Sequence, residues 1–152
     1  MRISAKSDYA VRAGIELAVS DQDAAIKIEQ IARSQDIPRK FLESILNDMR
    51  RAGLVVSVRG ARGGYRLARP SADISVADII RSVDGPLVSV RGERPTDLAY
   101  SGAAAPLLPL WIAVRANVRA VLEEVSLADL AAGRLGARVR RLARGGDAWD
   151  NP

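Results

Sequence analysis

One hairpin pattern interrupts a chain whose periodicity is otherwise helical. Residues Leu54–Pro70 read LVVSVRGARGGYRLARP. Leu54–Val58 is a β-branched run, Tyr65–Leu67 resumes an alternation, and RGARGG lies between them. This is the pattern of two strands joined by a glycine-rich tip. The same letters alone would suit a flexible basic linker or a phosphate-cradling loop. The flanking strands argue against a linker, and the loop lacks the Gly-Lys-Ser/Thr ending that a nucleotide loop needs.

Aromatic residues make up 4% of the chain and apolar residues 48%, so the core is expected to be aliphatic, which favours helices. Ser4–Val19 carries apolar residues at helical intervals. A polar break over Ser20–Ile26 precedes a short helix with Ile28, Ile31 and Ala32 inward. Residues 38–53 form an amphipathic third helix with Pro38 in its first turn. Phe41, Leu42, Ile45, Leu46 and Met49 are its inward stripe, and Arg39, Lys40, Ser44, Asn47, Asp48 and Arg51 fall largely outside. After the hairpin, Ser75 and Asp78 make a capping box for another helix, which Gly85-Pro86 stops. Residues 87–105 look irregular. Leu107, Leu110, Trp111, Val114, Val118, Val121, Leu122 and Val125 then keep three-four spacing through about five turns. Ser126 caps a short last helix, and the arginine- and glycine-rich tail, 133–152, is expected to lack fixed structure.

Cysteine and histidine are both absent. Their absence removes disulfides, zinc and haem sites, Ser-His and Cys-His catalysis, and the ordinary histidine pH switch. No paired-acid motif stands in for them, so neither an enzyme nor a metal site is expected. No apolar run of membrane-spanning length is evident, and the N-terminus has no apolar signal core. The expected location is the cytoplasm, with no membrane partner. Charge is uneven: residues 1–70 carry 13 basic and 8 acidic side chains, and residues 71–152 carry 10 of each. A basic module joined to a neutral one suggests an anionic partner for the first half.

Helix, helix, helix, hairpin, helix is the order of a winged helix-turn-helix. The expected fold is mainly α, with a two-stranded β-hairpin wing and a long C-terminal dimerisation helix. The second helix of the pair then enters the major groove, and the wing follows the neighbouring backbone or minor groove of double-stranded DNA. Arg59, Arg62 and Arg66 supply the wing's charge. Gly60, Gly63 and Gly64 let it turn tightly and approach a sugar-phosphate surface. The chain divides into a winged domain at 1–86, a loop at 87–105, the dimerisation helix and its short successor at 106–132, and the tail.

Three segments carry a family resemblance. MRISAKSDYAVRA, IPRKFLESILNDMRRAGLVVSVRGARGGYRLARP and ISVADIIRSVDGPL resemble the IscR/NsrR/CymR-like Rrf2 family of bacterial transcription regulators. LPLW followed by LEEVSLADL resembles that family's dimerisation helix, so the likeness covers about residues 1–132. It implies a homodimer paired through the long helix, each chain reading half of a pseudo-palindromic operator, as a repressor. It implies that Arg39, Lys40, Glu43 and Ser44 reach toward bases and phosphates. By the same resemblance Arg59 enters the minor groove, Gly60, Gly63, Gly64 and Tyr65 complete the loop, and Ser4 and Lys6 touch backbone. Glu43 keeps two readings, accepting from cytosine or pairing with Arg39 or Lys40.

The chain departs from the family in the sensing region. Members usually hold an iron–sulfur cluster through cysteines just before the long helix, whereas Val88–Ala105 contains none. With no thiolate or imidazole anywhere, no cofactor is expected and sensing takes a non-iron-sulfur route. A small-molecule effector, a protein effector and control by abundance all stay open. Tyr100 and Trp111 are candidate walls of an effector pocket, although Trp111 suits a dimer core better. The alternative class is a winged-helix protein-interaction module, with the wing touching a partner protein.

Overall fold

The computed structural model describes residues 3–20, 24–146 and 148–150. Among them the helices are α1 (Ala5–Val19), α2 (Ile28–Gln35), α3 (Arg39–Arg51), α4 (Val76–Asp84), α5 (Leu107–Leu122), α6 (Leu127–Ala131) and α7 (Ala137–Ala143). The strands β1 (Val55–Val58) and β2 (Gly64–Leu67) lie between α3 and α4. This is the mainly helical winged fold that the element order predicts.

Ser4 caps α1 by accepting from the Ser7 N–H at 2.9 Å. One face of α1 is built of small residues, Ser7, Ala10, Ala13 and Gly14, all buried. Small side chains let helices approach closely, and α4 and α6 both pack on α1. The Ser7 hydroxyl donates to Asp84 Oδ2 at 2.6 Å, and the Ser4 hydroxyl reaches the same oxygen. The buried hydroxyl is therefore satisfied.

A tight turn joins α2 to α3. Asp36 closes α2 at φ 50°, its N–H donating to the Ala32 carbonyl. Pro38 occupies the N-cap of α3, one place before the expected first turn. Leu42, Ile45, Leu46 and Met49 are fully buried and hold α3 against the core. Phe41 is not among them: it is 45% exposed, with its ring edge-on to Tyr9 at 5.7 Å. It lies about a quarter turn from the centre of the buried stripe, at the rim beside Tyr9.

The wing strands pair antiparallel, from Val55 opposite Leu67 to Val58 opposite Gly64. A third extended segment supports them. Ile26 and Tyr65 exchange both backbone hydrogen bonds at 2.8 Å, tying the wing base to the segment that enters α2. Gly64 permits this approach, because a Cβ there would overlap the Ile26 carbonyl.

The core does not close at residue 86. Leu127 of α6 is fully buried in the main cluster with Ala10, Ala13 and Ile79. Its methyl groups lie 3.2 Å from where a Gly14 Cβ would stand. The Leu127 N–H donates to the Ile74 carbonyl, and the Val76 N–H to the Val125 carbonyl, both at 2.9 Å. Ser75 and Ser126 are thereby bridged, and each is the N-cap of a capping box. Residues 1–86 and 106–132 consequently share one core. Val125, assigned to the dimerisation stripe by its spacing, is instead buried with Val76 and Ile80. The reason is that α5 ends at Leu122 and the chain turns before reaching it. The tail is not structureless either: α7 forms in it, anchored where Val139 packs on the same cluster.

None of the 16 residues of α5 is buried. The helical segment Gly102–Leu122, 21 residues at mean hydropathy 1.3, is long and apolar enough to cross a membrane by length and composition. This corrects the expectation that no run reaches that length. Arg115 and Arg119 lie within it, however, and a guanidinium is costly at mid-bilayer.

Leu127→Ala is expected to destabilise the chain by about 2–5 kcal/mol. The urea midpoint reads this directly; a loss under about 1 kcal/mol would show that α6 is dispensable to the core.

Candidate nucleic-acid interface

The interface is built from α3, the wing and the start of α2. Arg39 links two of these elements, its Nε 3.1 Å from Glu29 of α2 and its Nη1 3.1 Å from Glu43 one turn along α3. Of the two readings for Glu43, the ion pair is the one the free protein forms. A hydrogen bond from its own backbone N–H, with Arg39 beside it, holds the Glu29 carboxyl below the ordinary range. Lys40 and Ser44 are exposed, and neither has a side-chain partner among the described residues.

At the wing tip the Gly63 N–H donates to the Gly60 carbonyl at 2.9 Å. A Cβ on Gly63 would overlap the Val58 carbonyl, so the tip depends on glycine there. Arg59 and Arg62 are exposed and form no ion pair among the described residues. Arg66 differs from them. It stands opposite Val56 at the wing base, half-buried, with Nη1 donating to the Leu67 carbonyl at 3.3 Å. Tyr65 packs against the main core and anchors the hairpin.

Ser4 and Lys6 are engaged inside the fold. Lys6 Nζ lies 2.6 Å from Asp48 Oδ2 and 3.2 Å from the Val83 carbonyl, while Ser4 caps α1 and reaches Asp84. They fasten α1 to α3 and α4. Sequence reasoning missed Lys27, which is exposed at the N-cap of α2 and set beside the wing by the Ile26–Tyr65 bridge. No local signal marks it, because its position depends on a pairing between segments distant in sequence.

In Val88–Ala105 the available donors are oxygens only, those of Glu93, Thr96, Asp97, Tyr100 and Ser101 among them. An iron–sulfur cluster needs thiolates, in part replaceable by imidazole, so these residues do not fit one. Among the described residues no cluster of three metal-ligating side chains exists. Buried Pro95 and Leu98 accompany a 3₁₀ turn that packs on α5. Two cavities flank α5, and neither Tyr100 nor Trp111 lines either of them. One, of about 370 Å3, is mainly apolar and is lined by Ile3, Ile80, Leu87, Val118, Val121 and Leu122. The other, of about 290 Å3, lies between the end of α4 and α5. Beside it Glu123 accepts from Arg119 Nε at 2.9 Å and Nη2 at 3.2 Å, and also from Arg81.

A helix–turn–helix, a wing braced beside its first helix, and cations on the second helix and wing tip that are unpaired among the described residues define a DNA-binding regulator of the winged-helix class. The family described as "Rrf2: Iron-dependent Transcriptional regulator" matches residues 3–133. A Mycobacterium tuberculosis (strain H37Rv) protein named as a candidate HTH-type transcriptional regulator, Rv1287, is 49% identical over 94% of this chain and 89% of its own length. The solved structure of CymR, the global cysteine regulator of B. subtilis, matches with a TM-score of 0.75 at 33% identity, covering 89% of this chain and 99% of that one. T. potens IscR matches with a TM-score of 0.69 at 31% identity, over 92% and 96% of the two chains. The chain belongs to the Rrf2 family, whose members are transcriptional regulators and not enzymes.

Hydrogen bonds from Arg119 and then Arg81 hold the Glu123 pKa at about 2, against 4.5 ordinarily. A depressed carboxylate pKa stabilises the fold fully above pH 4.5, and that contribution is lost as pH falls toward about 2. Glu123→Gln should therefore flatten the acid limb of stability against pH across that window. An unchanged limb in acid-unfolding curves would contradict the pairing.

Proposed function

We propose that this protein is a homodimeric repressor that binds a pseudo-palindromic operator in the cytoplasm and senses its signal without an iron–sulfur cluster. The observation that carries the DNA reading is the set of cations without an acidic partner among the described residues, Lys40 on α3 with Arg59 and Arg62 on the wing tip, held on a braced frame. Glycines bring the wing backbone close enough for its arginines to enter a narrow groove. In this reading Ser44 and Glu43 of α3 stand toward the base edges, with Arg39 released from Glu43 on binding.

The dimer is supported by α5. Of its apolar residues, Leu107, Trp111, Val114, Val118 and Val121 are only half-buried within the chain, and Leu110 is 51% exposed. The apolar cavity beside Val118 and Val121 continues that surface. A second copy presenting the same stripe covers both through an isologous contact. A two-fold dimer in turn calls for two related half-sites.

In a gel shift at moderate salt, the protein should prefer a duplex holding the inverted repeat of its own promoter over random DNA. Arg59→Ala should weaken that binding more than Arg134→Ala, and should lower the salt slope by about 0.9 for each phosphate no longer neutralised. Preference for no duplex would favour the protein-interaction class instead. Val118→Asp should convert a species of twice 16.3 kDa into one of 16.3 kDa by light scattering. An unchanged mass would remove α5 from the interface.

A further inference from the structure

Four guanidinium groups line the cleft of about 290 Å3 between the end of α4, the loop after it and α5: Arg81, Arg94, Arg115 and Arg119. We propose that this cleft binds a small soluble polyanion, of the phosphoryl or polycarboxylate class, and that this anion is the regulator's effector. The effector half of the proposal rests on the reading of the chain as a DNA-binding regulator.

Charge is the first argument. Arg81 and Arg119 share the single carboxylate of Glu123, and Arg81 also lies 3.8 Å from Asp78. Among the described residues, Arg94 and Arg115 have no carboxylate within ion-pair distance. The cleft thus holds cations in excess, although residues 71–152 carry no net charge. Like charges gathered around a concave surface focus a positive potential, and guanidinium forks match oxyanions in geometry. A cleft of about 290 Å3 matches the size of a small polyanion.

Preorganisation is the second argument. Val90 and Glu93 exchange backbone hydrogen bonds at 2.9 and 3.1 Å around a turn at Arg91-Gly92. Both turn residues are left-handed, at φ 56° and 84°. Arg94 leaves this turn directly into buried Pro95, so its backbone is held on both sides. Buried Val88, together with Leu87, gives the cleft an apolar wall.

Position is the third argument. Arg81 belongs to α4, which packs on α1 and α3 of the DNA-binding body, whereas Arg115 and Arg119 belong to α5. An anion bridging them joins the reading head to the proposed dimer helix. An anion that prefers one of two settings of that joint shifts operator affinity by at most that preference, provided the operator also distinguishes the settings, and the operator then changes anion affinity by the same factor.

Isothermal titration of the full chain with sodium pyrophosphate, and separately with citrate, at ionic strength held constant with sodium chloride, tests the site. Saturable binding of one anion per chain is expected, and the probe that binds more tightly separates the phosphoryl from the carboxylate class. Arg94→Ala/Arg115→Ala, with an unchanged urea midpoint, should weaken binding about tenfold or more. Arg59→Ala/Arg62→Ala should leave it unchanged. Glu123→Gln releases Arg81 and Arg119 and should tighten it, which damage to the fold would not do. No saturable binding of either probe, or equal losses in the cleft and wing variants, overturns the site. Pyrophosphate or citrate should also shift operator affinity for the wild type and not for Arg94→Ala/Arg115→Ala. Anion binding without that shift overturns the effector role, and a loss of operator binding by the cleft variant without anion makes the cleft part of the DNA surface. Failure of the wild type to bind any duplex defeats the regulator reading and the effector role with it, while the calorimetry still decides whether the cleft holds an anion.

Discussion

The missing side chain at Gly14 lets Leu127 reach the centre of the helical core, and the rest of the molecule is arranged around that contact. A residue near the end of the chain becomes part of the body formed by its beginning. Helix α5, which lies between, is therefore tied back at both ends, by the turn after α4 and by the Val125–Leu127 return. Within the chain its apolar side is only half-buried. That side is left for another surface to cover, and the burial of such a stripe is the usual driving force for helix pairing.

The basic residues sort by whether the fold gives them an acid. Lys6, Arg12, Arg39, Arg69, Arg81 and Arg119 all have carboxylate partners. Exposed pairs of this kind contribute little stability, about 0–1 kcal/mol each, so their main effect is to fix side-chain direction. Lys40, Arg59, Arg62, Arg94 and Arg115 lack partners among the described residues and form two separate groups. One faces outward on α3 and the wing, suited to an extended polyanion. The other lines a concave space of a size suited to a small one.

Much of the architecture was legible from local letters. Ser75 and Asp78 form the capping box that their spacing announces, the hairpin pairs where β-branched runs flank RGARGG, and Leu42, Ile45, Leu46 and Met49 are buried as their spacing requires. These features are decided within a turn of helix or across one hairpin. Phe41, Val125 and the tail were misplaced by the same reasoning. A spacing pattern cannot say where a helix stops, which neighbour reaches its rim, or that Val139 finds an apolar partner. Ser4 and Lys6 look free in the sequence because Asp84 and Asp48 lie far along the chain.

Element order, the basic first half, the glycine-dependent wing and the lack of thiolate or imidazole ligands are each a matter of residue type or short-range spacing and can be read from the letters alone. The bracing of the wing by Ile26, the closing of the core by Leu127 and the gathering of four arginines from α4, a turn and α5 around one cleft emerge only in the folded chain. These depend on residues far apart in sequence meeting through packing, and packing follows from the shape of the whole chain, not from any local run of it.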